Sequence, residues 1–258
     1  MTTNNNNLNF WIEHHLNVIA IDLILLRIEN NNFKNNYNQV KIIEYEIIND
    51  NYNSYYTQQL RQINFVNKCI DISKNYNLDF LLHIDDDELL TLNKKWFTIH
   101  HYLNSLIWFD ETHLRIQNFE AVKNFTTRNE TIFKQTFIFK DCSLEKCNSY
   151  SNGKSIANLN SNLECNGCHT FTGKSKIADK DDIIILHYDS LIYDKWKKKF
   201  NRLKNISLDI YNEIPFLFYK ESINIMNKDE KDQYNYWVNK LIKCDYPINV
   251  LQKYKLLK

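Results

Sequence analysis

Residues 78–90 read Leu-Asp-Phe-Leu-Leu-His-Ile-Asp-Asp-Asp-Glu-Leu-Leu. The apolar run 80–84 has the length of a buried strand and empties directly into four acids, Asp85, Asp86, Asp87 and Glu88. Adjacent carboxylates repel one another, so a folded chain keeps four of them only where solvent, basic residues or a cation neutralises them. Side chains of an extended segment alternate, which predicts that Asp85 and Asp87 point to one side and share an ion while Asp86 points away. Oxygen ligands of this kind suit Mg²⁺, Mn²⁺ or Ca²⁺. An acidic loop or helix N-terminus accounts for the same residues, since carboxylates favourably face the helix dipole. From these residues alone both readings stand.

Outward from this stretch, the periodicity predicts a helix over 55–76 with Leu60, Ile63, Val66 and Ile70 along one stripe, preceded by strands over 21–28 and 40–48. An earlier helix over 10–18 places Trp11, His15 and Val18 on one face; His14 and His15 read there as core or boundary residues rather than ligands. Downstream the pattern gives a helix over 96–106, strands over 113–119 and 136–140, and an irregular region over 141–170. A strand over 183–187 follows, ending in His187, then a basic helix over 193–205 with Lys195, Lys197, Lys198, Lys199 and Arg202, capped by Asp189 or Ser190. Residues 207–258 read as helical, with breaks at the two prolines. Strand, strand, long helix, strand is the cadence of an α/β sheet, whose ligands collect beyond the carboxyl ends of the strands. The acids lie at such an end.

The 258 residues suffice for one large α/β domain, and the net charge of +1 excludes the broad basic surface of a nucleic-acid binder. No run approaches the ~18 apolar residues of a membrane span. Residues 1–9 form an Asn-rich polar tail, predicted to be disordered, without the basic and apolar regions of an export signal, so the chain reads as soluble and cytoplasmic. With 3 Gly and 2 Pro, Asn takes over much of the turn punctuation. The sequons at Asn124, Asn129 and Asn205 are what such a composition produces by chance.

Taken in order, these residues resemble the metal-dependent glycosyltransferases of the GT-A fold, in their family 2-like and family 92-like branch. Residues 11–16, Trp-Ile-Glu-His-His-Leu, look like that group's early helix, and residues 62–70 resemble the helix before its metal motif. Residues 84–89, Ile-Asp-Asp-Asp-Glu-Leu, match its Asp-x-Asp signature. Lys154-Ser155-Ile156 and His187-Tyr188, with Ser190 and Lys199, are similar to later elements. The resemblance implies a GT-A-like, Rossmann-like mixed sheet flanked by helices over 10–206, with a Cys-containing loop insertion and a helical C-terminal extension over 207–258. It implies a nucleotide-sugar donor, UDP-linked, and a glycan or protein acceptor. Mn²⁺ or Mg²⁺ would be held by Asp85, Asp87 and His187; Asp86, Lys154 and Lys199 would contact the donor. An inverting transferase also needs a base; Glu120 is the favoured candidate, with Asp110 and Glu111 as others. The family's first strand has no counterpart in residues 2–9, which leaves a silent domain binding a nucleotide, glycan or protein as the alternative function.

Cys142, Cys147, Cys165 and Cys168 form Cys-x4-Cys followed by Cys-x2-Cys, near a structural zinc spacing. Zinc, disulfides and free thiols all remain open for them. His169, beside Cys168, is a further candidate for the acceptor side.

Overall fold

The computed structural model describes residues 7–29, 33–46, 55–122, 132–136, 138–144, 147–148, 150–241 and 247–257. Residues 1–6, the end of the strand expected over 40–48, and the sequons at Asn124 and Asn129 lie outside them. The described residues are mixed α/β, with three sheets flanked by helices. Strands β1 (Ile24–Glu29) and β2 (Val40–Glu46) pair in parallel. After helix α2 (Tyr55–Asn75), β3 (Phe80–Leu82) joins β8 (Lys154–Asn158), β5 (Glu111–Ile116) and β9 (Lys174–Ile177) in the order β3-β8-β5-β9. The third sheet has the order β11-β7-β6-β10-β4, from β4 (Glu88–Leu92), β6 (Asn118–Ala121), β7 (Ile138–Asp141), β10 (Ile183–His187) and β11 (Pro247–Asn249).

The expected strand over 113–119 is two strands in different sheets. The break falls at Gln117, whose carbonyl accepts from Ile185 N–H at 2.9 Å, so β10 captures the chain where it leaves β5. Gly153 sets the start of β8. Its φ of 65° is left-handed, and a Cβ there would lie 1.8 Å from the Ile116 carbonyl oxygen, so only glycine lets β8 approach β5 this closely.

The N-terminal reading changes in two ways. Leu8 already opens helix α1 (Leu8–Glu13), and Asn7 and Leu8 are buried, so the polar tail ends before residue 7. α1 then passes into a π-helical turn over His14–Ile19, which ends at left-handed Ala20. The helical extension is also not wholly helical. α6 (Leu208–Glu213), α7 (Leu217–Ile225) and α8 (Glu230–Leu241) give way to β11, which pairs with β7, and Tyr254 then bridges back to Asn93 beyond β4. Pro247 reads in the sequence as a helix break, yet proline suits the first residue of an edge strand. Helix α5 (Tyr193–Leu203) starts at Ile192 with no side-chain cap; Ser190, an expected cap, sits instead in the left-handed region. α5, α7 and α8 share a core of Trp196, Phe200, Phe218 and Trp237 that leans on the segment after β10. No helix among the described residues is long and apolar enough to cross a membrane.

Candidate functional site

The four acids are not the tail of an extended strand. Glu88 N–H reaches back to the Asp85 carbonyl at 3.2 Å, closing a turn between β3 and β4. The turn cancels the alternation that would have brought Asp85 and Asp87 together, and the two face different neighbours.

Asp85 is held by Lys154, whose Nζ lies 2.8 Å from Oδ2, while Gln62 Nε2 donates to Oδ1 at 3.1 Å. Lys154 also stands 3.4 Å from Glu88 and donates to the Cys168 carbonyl. Its side chain is 1 % exposed, so it serves this cluster rather than presenting a charge to a donor phosphate. One lysine therefore faces two carboxylates. Burial opposes the Asp85 charge, but Lys154 outweighs it and holds that carboxyl well below its usual range. Glu88, fully buried and left with the smaller share of the lysine, is pushed up to about 7. Its Oε2 accepts from Asp85 N–H at 2.7 Å, and among the described residues Oε1 has no partner.

Asp87 looks the other way. Its Oδ2 lies 3.9 Å from His187 Nε2, and Tyr188 N–H donates to its carbonyl at 2.9 Å. This meeting follows from the sheet register, in which His187 of β10 is paired with Glu88 of β4. Burial, then the charges of Asp189, Asp86 and Asp85, raise the Asp87 carboxyl well above its usual value, against the opposing pull of Lys199. With 39 % of the side chain open, water screens part of that effect. Asp86 lines a cavity on the β1 side. Lys199 is tied to Asp189 at 2.8 Å and to the Tyr219 hydroxyl at 2.6 Å, with its side chain 36 % exposed at the edge of the site. Trp237 Nε1–H fixes the Ser190 carbonyl from α8. The C-terminal helices thus hold the Asp189–Lys199 pair beside Asp87.

Glu120 is the register partner of His187 on β6, so it reaches the right neighbourhood. Its Oε2, however, is held by Lys140 at 2.9 Å and by Asn148 N–H at 2.7 Å, within a 3 % exposed side chain. Both interactions occupy Oε2 and fix the carboxylate away from a free base's position. Asp110 pairs with Lys174 on the surface at 2.6 Å, and Glu111 Oε2 accepts from Phe109 N–H at 2.9 Å.

The cysteines do not form the four-thiolate zinc set. Cys142 and Cys147 are joined in a disulfide, whereas Cys165 and Cys168 are buried thiols in the loop after β8, where Cys165 N–H is held by Asn67 of α2. The disulfide closes the loop that delivers Asn148 to Glu120. Just beyond it, Tyr150 lies between His169 and His187 at ring-centroid distances of 4.4 and 4.9 Å. Its hydroxyl is buried and, among the described residues, unpartnered. His169 binds the Gly153 carbonyl at 2.8 Å, and burial lowers its imidazole to about 4.

Tyr150, Asp189 and Tyr219 were missing from the sequence reading. Asp189 carried a signal, lying two residues after the strand-end His187, but a capping role absorbed it; the tyrosines carried none. His14 and His15 are core residues, as read. His15 Nδ1–H donates to the Trp11 carbonyl at 2.7 Å, and its Nε2 accepts from Leu90 N–H. His14 Nε2–H donates to the Leu90 carbonyl at 2.7 Å, and Trp11 Nε1–H donates to the Glu88 and Asp85 carbonyls at 2.7 and 3.1 Å. α1 therefore clamps the backbone of the acidic turn.

Whether the turn fits a divalent cation is decided by charge. Around Asp87 the carboxylates of Asp85, Asp86 and Asp189 outnumber the nearby lysines, and a cation relieves that excess. Among the described residues no three His, Cys, Asp or Glu side chains form a metal-holding group on their own. Neither a protein-family model nor a curated protein matches the chain.

Proposed function

We propose that the chain is a GT-A-type glycosyltransferase that uses Mn²⁺ or Mg²⁺ to move a sugar from a nucleotide-sugar donor, UDP-linked, to a hydroxyl on a glycan or protein. The observation that carries this reading is the approach of Asp87 and His187, one hundred positions apart, to 3.9 Å at the ends of β4 and β10. Asp87 and His187 would hold the ion, and the ion would stabilise charge on the departing diphosphate. Lys199 stands beside Asp87 and would orient the phosphates, at the cost of loosening its bond to Asp189. Asp85 keeps the turn in shape through Lys154 and Gln62 rather than reaching the ion.

The ion pairs at Asp85 and Glu120 favour a second reading, a GT-A-like domain that binds a nucleotide, glycan or protein without turnover. Both acids carry partners that a transferase would need to displace only at Glu120. The two readings separate on donor hydrolysis screened across UDP- and GDP-sugars with Mn²⁺. The transferase reading expects slow, metal-dependent release of nucleotide diphosphate that Asp87→Ala lowers at least a hundredfold. A nucleotide-induced thermal shift without hydrolysis supports the silent domain. No shift with any donor rejects the transferase and leaves a silent domain whose ligand is a glycan or a protein.

A further inference from the structure

The Cys142–Cys147 disulfide joins two pieces of chain that are held very differently. Cys142 directly follows β7 and is firmly placed. Asp141 accepts from the Ser143 N–H and hydroxyl at 2.8 and 2.6 Å, and Lys180 Nζ lies 2.7 Å from the same carboxylate. Cys147, Asn148 and Tyr150 belong to no helix or strand. Asn148 N–H donates to Glu120 Oε2 at 2.7 Å, and its side-chain amide donates to the Lys240 carbonyl near the end of α8 at 3.2 Å. Asn118 Nδ2 donates to the Tyr150 carbonyl at 2.8 Å and lies 3.4 Å from Cys142 Sγ. The crosslink therefore ties an irregular segment to a strand end. The segment it ties down covers Glu120 and, through the Tyr150 ring, packs against His187.

We propose that the Cys142–Cys147 disulfide is a redox latch on the candidate site: closed, it holds Asn148 over Glu120, and opened by a dithiol reductant it releases the segment and uncovers that carboxylate. The two cysteines are five positions apart, so the closed ring confines Cys147, and with it Asn148, to a small region beside β7. A crosslink this short joins no two core elements, and what it constrains is local. Once it opens, hydrogen bonds that water can replace are what keep Asn148 in place. Lys140, the register partner of Glu120 on β7, stays where the sheet holds it, so the uncovered carboxylate keeps a counter-charge. The opening step is a two-electron exchange. A thiolate of the reductant attacks one sulfur, the S–S bond breaks onto the other, and the second thiol of the reductant resolves the mixed disulfide. The protein gains two protons and two electrons, and the dithiol becomes a disulfide. Ser143 and Leu144, between the two cysteines, are exposed, which places the crosslink just under the surface. The part assigned to Glu120 as a base rests on the transferase reading; the latch itself does not.

The test is carboxyl footprinting of the whole chain with a carbodiimide and glycine ethyl ester, read by mass spectrometry before and after dithiothreitol. Reduction should raise modification of Glu120 about tenfold, while Asp110 on the surface is modified equally in both states. Amide exchange at Asn148 should quicken by about the same factor, with the amides of β10 unchanged. The double variant Cys142→Ser, Cys147→Ser should show the high Glu120 modification with or without dithiothreitol. The proposal is overturned if dithiothreitol leaves the disulfide closed in the folded protein, or if Glu120 is modified equally in the two states. It is also overturned if reduction exposes the amides of β10, because the crosslink is then a staple for the fold. Neither donor nor metal enters this test. An uncovered Glu120 without donor hydrolysis keeps the latch and rejects the transferase.

Discussion

Lys154 meets Asp85 and Glu88 with one positive charge for two carboxylates, and the imbalance is eased because burial pushes Glu88 up to about 7, so that it holds its proton far above the ordinary carboxylate range. The buried lysine is consequently a structural necessity of the acidic turn. Replacing it in Lys154→Met leaves Asp85 facing Gln62 alone and should cost about 2–4 kcal/mol, reduced from the fully buried case by the 30 % exposure of Asp85. Adding Asp85→Asn should recover more than half of that loss. Urea denaturation of the single and double variants measures this, and equal stabilities of the two would disprove the pairing. The same residues show what a sequence conceals. A lysine in a Lys-Ser-Ile element can serve a ligand or a neighbour, and only the 2.8 Å contact with Asp85 assigns it. His187 was legible because it ends the apolar run of β10, whereas Asp87 stood out only as a member of the acidic run that the turn carries into β4.

Among the elements, α1 has the largest influence on the site for its length. Its six residues, with the π-helical turn, supply Trp11, His14 and His15, whose rings hold the backbone carbonyls of residues 85, 88 and 90 and the N–H of Leu90. Trp11→Phe keeps the packing but removes the donor to two carbonyls, one of them fully buried. The expected cost is about 1–3 kcal/mol in urea denaturation, together with weaker Mn²⁺ binding by calorimetry because the turn loses its anchor. An unchanged urea midpoint would mean that the bond to the Glu88 carbonyl contributes nothing. Elements with long periodic patterns were readable: the expected helix over 55–76 is α2, Tyr55–Asn75, and the expected strand over 183–187 is β10. β8 and β9 were not. Each spans four or five residues beside Asn, Gly or Ser, and β9 is largely exposed, so neither shows alternation. The division of residues 113–119 also left no mark, because it is made by β10 binding Gln117 rather than by any residue at the break.

At the scale of the whole molecule, buried imidazoles control the response to acid. Burial is the first cause in each of five cases. His14 and His169 are lowered to about 4, His83 to about 3, His15 well below the ordinary 6.5, and His113 below it. A histidine depressed in the folded state contributes stability above its unfolded value of about 6.5, and that stability is lost as pH falls from there through the folded value. Glu88 and Asp87 are shifted upward and act in the opposite sense, since they are easier to keep folded once protonated. The depressed imidazoles outnumber the two raised carboxylates, so net protonation favours the unfolded chain. Stability should therefore fall as pH drops below about 6.5, by about 1.4 kcal/mol per pH unit for each net proton. Urea midpoints at pH 7.5, 6.5, 5.5 and 4.5 should decline steeply over the last two steps. His14→Gln, which removes one of these protons while leaving an amide donor near the Leu90 carbonyl, should make that decline shallower by about one proton. A flat profile would mean that the imidazoles take up their protons without leaving the fold, with α1 moving to let water reach His14 and His15.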